Sequence, residues 1–122
     1  MATYLEDIRQ GDDYVLKVDF GTSNNITGFE FWLTLKNDFE DADANAVLQI
    51  STVAGSDPAD DPTHGIAFIR IPAATTKAID PNSYIYDLQV KTDSGLINTI
   101  IPPNSDYKDR VKVIPEVTKA IT

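Results

Sequence analysis

Seven residues do most to restrict what this chain can fold into: Tyr84-Ile85-Tyr86-Asp87-Leu88-Gln89-Val90. Tyr84, Tyr86, Leu88 and Val90 fall on one side of an alternation, and Ile85, Asp87, Gln89 and Lys91 on the other. Successive side chains leave opposite faces of a sheet, so a period of two predicts a strand with one face buried. The turn cluster Asp80-Pro81-Asn82-Ser83 sets its start.

The same period recurs. Over residues 14–20, Tyr14, Leu16, Val18 and Phe20 share one face and Lys17 and Asp19 the other, which Val15 interrupts. Over residues 29–36, Phe29, Phe31, Leu33 and Leu35 point to a core while Glu30, Trp32, Thr34 and Lys36 point away. Residues 46–52, 65–71, 96–101 and 110–114 read as further strands, and 4–8 as a short edge strand. Between them, 37–45 is acidic and irregular, with room for one helical turn. Residues 54–64 form a loop marked by Asp57-Pro58 and Asp61-Pro62, and 72–79 hold a short helix or 3₁₀ turn. Thr92-Asp93-Ser94-Gly95 is a tight hairpin that needs Gly95 in the left-handed region. Seven or eight short strands separated by turn signals predict an all-β sandwich.

At 122 residues the chain fits one domain over 1–122, long enough for a core without staples. It has no cysteine, hence no disulfide and no thiolate chemistry. Leu16, Val18, Phe20, Phe31, Leu33, Phe68, Tyr84, Tyr86 and Leu88 are the expected core. Asp80, Tyr84 and Tyr86 resemble the D-x-x-x-Y-x-C start of strand F in an immunoglobulin-like domain. There the tyrosine hydroxyl returns to nearby backbone as the tyrosine corner. Tyr86 stands in the cysteine's place, so the resemblance implies an immunoglobulin-like antiparallel β-sandwich without its disulfide.

A net charge of −9 repels phosphate backbones and anionic lipid, which argues against nucleic acid or membrane as a main partner. No apolar run approaches the length of a membrane span, and the N-terminus is not read as a signal peptide. His64 is the single histidine and no serine sits in a G-x-S-x-G elbow, so catalysis is not expected. The dense carboxylates are Asp38, Glu40, Asp41, Asp43, Asp57, Asp60 and Asp61, with no Lys or Arg between Lys36 and Arg70. Calcium takes six to eight oxygen ligands, but Asp57, Asp60 and Asp61 lack EF-hand spacing. A solvated acidic loop is expected there, with no metal and no cofactor. The carboxylates also lack an identifiable aromatic groove for glycoside hydrolysis.

Motifs along the chain add a second resemblance. In order they are Gly11-Asp12-Asp13-Tyr14, Ile26-Thr27-Gly28 before a strand ending at Lys36, a variable acidic loop, and an apolar strand from Gly65 to Ile71. Ala74, Thr76, Ile79, Pro81, Asn82 and Tyr84 follow, then Tyr86 to Val90, Gly95, and Val113 to Thr118. The set resembles the immunoglobulin-like domains of tailed-bacteriophage virion proteins, notably the N-terminal domain of baseplate upper proteins. Two departures stand out. Residues 102–107 intervene where the family reaches a glycine, and no fibre, stalk or receptor-binding segment follows, so a domain acting alone is expected.

The resemblance implies a non-enzymatic virion component of the tail, baseplate or fibre attachment, located in the virion and bound to other virion proteins. A capsid decoration or head-fibre anchoring protein would use the same fold. A carbohydrate-binding or host-adhesion module built on Trp32 and the acidic loop is the alternative of another class. Trp32, out of phase with the core, is the expected docking anchor, with Glu30, Thr34 and Lys36 as its rim. The terminal segments extend that interface through Tyr4, Leu5, Ile8, Val117 and Ile121. Edge strands over 4–8 and 110–114 are expected to pair with neighbours in a homo-oligomer of a symmetric particle.

Overall fold

The alternation around Tyr86 belongs to the longest strand of the molecule, and the larger sheet is built outward from it. The computed structural model describes residues 5–38, 40–102 and 109–116. In chain order the elements are β1 (Ile8–Arg9), β2 (Tyr14–Asp19), β3 (Glu30–Lys36), β4 (Leu48–Val53) and β5 (Ile66–Ile71). The one-turn helix α1 (Ala73–Lys77) follows, then β6 (Asn82–Lys91), β7 (Ile97–Ile101) and β8 (Arg110–Ile114). Pro72 caps α1, which falls inside the segment expected to turn there. Gly95 takes φ 94° in the β6–β7 hairpin, a conformation that only glycine adopts cheaply.

The larger sheet has the order β1-β8-β6-β3-β4, with β7 also paired to β6, and β2-β5 forms the facing sheet. Strands β8-β6-β3-β4 take the places G-F-C-C′ and β2-β5 the places B and E of an immunoglobulin-like sandwich. The chain is therefore an immunoglobulin-like β-sandwich, with eight strands among the described residues. All pairs are antiparallel except β1 with β8, where Ile8 lies opposite Val113 in a parallel register. The G position is split. β7 runs along the C-terminal half of β6 and β8 along its N-terminal half, and Tyr86 N–H reaches the Asp109 carbonyl between them at 3.1 Å. β7 and β8 thus both lie along the same edge of β6.

Inward residues of both sheets meet in a single core that includes Val18, Phe31, Leu33, Ile69 and Leu88. Each such fully buried side chain contributes about 1.5–3 kcal/mol by leaving water. The tyrosine corner is present: Tyr84 Oη donates to the Asp80 carbonyl at 2.5 Å. In the cysteine's place, the Tyr86 hydroxyl accepts the buried Leu5 N–H at 3.0 Å, and Tyr14 Oη donates to the Glu6 carbonyl at 3.0 Å. Two tyrosines from opposite sheets thereby clasp the N-terminal segment where a disulfide would have joined the sheets.

Three expectations are corrected. Phe68 is not a core residue: Ala67, Ile69 and Ile71 point inward and Phe68 lies half-buried on the outer face, beneath the Arg70 guanidinium at 5.6 Å. Phe20 is half-buried, closing the core's margin with Phe29 and Phe31 at ring separations of 6.3 and 6.2 Å. The terminal segments pair with each other, which leaves the two-residue β1, and not β8, as the edge there. β8 lies between β1 and β6, and Leu5 and Ile8 are both 0% exposed within the core, so their apolar area is spent inside the domain. Tyr4, Val117 and Ile121 lie outside the described residues.

Candidate docking face

The outer face of the larger sheet is defined by register. Trp32 on β3 stands between Ser51 of β4 and Gln89 of β6, and Gln89 is followed by Thr99 of β7. The next row is Val53, Glu30, Lys91 and Ile97; on the other side Thr34 stands between Gln49 and Asp87. Alternation along β3 forces Trp32 to this side because Phe31 and Leu33, its neighbours, are 0% exposed in the core. The indole is half-buried, and so are Glu30 and Lys36, whereas Thr34 is nearly covered and accepts the Gln49 amide at 3.2 Å. Of the four residues expected on this face, Trp32, Glu30 and Lys36 offer surface, and Thr34 serves the sheet itself.

The row beside Trp32 carries apolar surface not foreseen: Val53 is 40% and Ile97 60% exposed, with the opposite charges of Glu30 and Lys91 set between them. Leu96, at the hairpin tip, is equally open. An indole, two aliphatic side chains and polar amides within one sheet face are the composition of a protein-contact surface with a polar rim. The uncharged alternation of residues 48–53 was the available signal for Val53, but only the register with β3 places it beside Trp32.

The acidic loop is turned to internal use. Asp60 accepts N–H groups from Gly55, Asp57 and Phe68 at 2.9, 3.2 and 2.8 Å, closing the loop on β5. Asp57 pairs with Arg70 and accepts the Ala59 N–H at 2.9 Å. The Arg70 guanidinium, and then that amide, hold the Asp57 carboxyl below its ordinary range. Asp61 and His64 Nδ1 lie 2.9 Å apart on the surface, with the Thr63 hydroxyl bonded to the same carboxylate. That hydroxyl also lies 3.4 Å from the same ring nitrogen. Among the described residues no three carboxylate or imidazole side chains converge as a cation site would require. No helix among them is long and apolar enough to cross a membrane.

No protein-family model and no curated protein sequence matches the chain. Among solved structures, the crystal structure of the PmoD soluble domain from Methylocystis sp. ATCC 49242 (Rockwell) is similar over 90% of this chain and 79% of its own. The sequence identity is 15% and the TM-score 0.44. At that score the likeness bears on neither fold nor function.

Proposed function

We propose that the chain is a structural component of a tailed-phage virion, a tail, baseplate or fibre-attachment module that works by protein–protein contact. The observation that carries this reading is the Trp32 face: a large indole on the solvent side of the sheet, beside exposed Val53 and Ile97 and rimmed by polar residues. The ordered motifs from Gly11 to Thr118 support the virion setting. Such a module acts by presenting a rigid sheet face, and the immunoglobulin-like sandwich holds Trp32 in place through both neighbouring strands.

The test is Trp32→Ala. The variant should keep its β-sheet circular dichroism, yet lose about 2 kcal/mol or more of binding, roughly thirtyfold, if the indole is the anchor. Mass spectrometry of purified virions reads the loss as reduced incorporation. A folded variant that incorporates normally sinks the docking assignment. A glycan array on which the wild type binds and the variant does not would move the face to a host-adhesion role.

A further inference from the structure

We propose that the free edge of β4 is a self-pairing edge, and that two copies of this chain join there into one continuous sheet about a twofold axis through Ser51. The edge is open: β3 covers one side of β4, and among the described residues no strand covers the other. Ala54 N–H donates to the Phe29 carbonyl at 2.8 Å, which makes that pair a hydrogen-bonded one. Alternation along the register then makes Phe31–Thr52 and Leu33–Ile50 hydrogen-bonded pairs, and Glu30–Val53, Trp32–Ser51 and Thr34–Gln49 the intervening ones. Residues of the intervening pairs turn their N–H and C=O groups away from the partner strand. Gln49, Ser51 and Val53 therefore direct backbone donors and acceptors outward, and all three are exposed.

These groups match their own copy. With Ser51 opposite Ser51, Gln49 falls opposite Val53 and Ile50 opposite Thr52, and every side chain keeps to its face. Ser51 exchanges two hydrogen bonds with its counterpart, and Val53 N–H meets the Gln49 carbonyl on either side, about four in all. The Val53 carbonyl already accepts the Ser56 N–H at 3.0 Å, so its bond to Gln49 N–H is a shared one.

Charge decides why this edge and not another. Two chains of net charge −9 repel, but residues 44–56 carry no charged side chain. Natural edges are blunted by lysine, proline, bulges or shortness, and the other edges here show such features. β1 has two residues, β7 has a register shift against β6 and ends at Pro102, and β2 and β5 carry Lys17, Asp19 and Arg70. β4 shows none of them within Leu48–Val53. Pairing there would also set the two Trp32 faces side by side, about 14 Å apart at three strand spacings. The inference stands on β4 alone, so its failure leaves the virion reading untouched, and the reverse holds too.

Sedimentation equilibrium of the full chain reads the association, with three variants beside it. The wild type should dimerise. Ser51→Lys, which sets two ammonium groups across the axis, should weaken the dimer at least tenfold with unchanged circular dichroism. Because the chain has no cysteine, Ser51→Cys should cross-link to a disulfide dimer under mild oxidation. Opposed Cα atoms about 5.5 Å apart are within disulfide reach. Ser94→Cys, on the distant hairpin turn, should not cross-link. A wild type monomeric at roughly 0.5 mM, a concentration at which a millimolar association already shows, overturns the proposal. So does a dimer indifferent to Ser51→Lys. Should that variant fail to fold, absence of a Ser51→Cys cross-link overturns it instead.

Discussion

Replacing Tyr86 by phenylalanine isolates what stands in the place of the missing disulfide. The ring and its burial are kept; only the hydroxyl that accepts the Leu5 N–H at 3.0 Å is lost. Leu5 is 0% and Tyr86 3% exposed, so water does not readily take over the acceptor's part. A buried donor left unsatisfied costs about 1–3 kcal/mol, against about 1 kcal/mol for an ordinary net hydrogen bond. Tyr84→Phe supplies the contrast. Its hydroxyl donates to the carbonyl of Asp80, an exposed residue, in a bond that is only partly buried, so its loss should cost about 1 kcal/mol or less. Urea unfolding followed by circular dichroism at 25 °C measures both, with an unchanged m-value as the sign that the denatured state is not altered. The expected order is Tyr86→Phe clearly below Tyr84→Phe in stability, with the Leu5 amide losing protection from hydrogen exchange. A Tyr86→Phe penalty under about 0.5 kcal/mol, or the reverse order, refutes the clasp.

Two further outcomes follow from the same geometry. Burial, with the Glu6 carboxylate adding to it, pushes the Tyr14 hydroxyl up from 10.0 to about 12. Its stabilising effect is thus whole below pH 10 and lost as pH rises toward 12. For a half-buried group this amounts to on the order of 1 kcal/mol, and Tyr14→Phe should flatten the fall in thermal midpoint over that window. Gly65 sits at φ 78°, and a Cβ added there would collide with the backbone carbonyl oxygens of Gly21 and Asn24. Gly65→Ala should cost about 2–4 kcal/mol in urea unfolding, and a neutral result would mean that the 20–26 loop gives way freely.

Strand phase was legible wherever polar and apolar residues alternate. The faces of β3 and β6 follow directly from Phe31, Leu33, Tyr84, Tyr86 and Leu88, and the same period sends Trp32 outward. β5 failed that reading because Ile66-Ala67-Phe68-Ile69 is apolar on both faces. There the larger ring suggests the core, and the small Ala67 is what the structure puts there. Phe68 is retained outside by Arg70, whose guanidinium covers its ring while Asp57 holds the arginine. That arrangement joins two strand positions to a loop, and no local period encodes it.

Alternation tells which way a side chain points and is silent on which strand lies beside it. Trp32 was therefore placed on the right face, while its company, Ser51, Gln89, Val53 and Ile97, depended on pairings among strands far apart in sequence. The same silence hides where Leu5 and Ile8 are buried. Leu5 and Ile8 look like a short apolar edge awaiting a neighbour, and the neighbour is the far end of their own chain, β8. Once the ends pair with each other, the open backbone of the larger sheet lies on the two-residue β1, on β4 and on β7. Of these, β7 is disrupted by its shifted register and Pro102, whereas β4 is regular, uncharged and one strand from Trp32. A contact made at the Trp32 face and one made along β4 would share Ser51 and Val53, so a partner seated on the indole would meet a surface doubled in width wherever two copies pair.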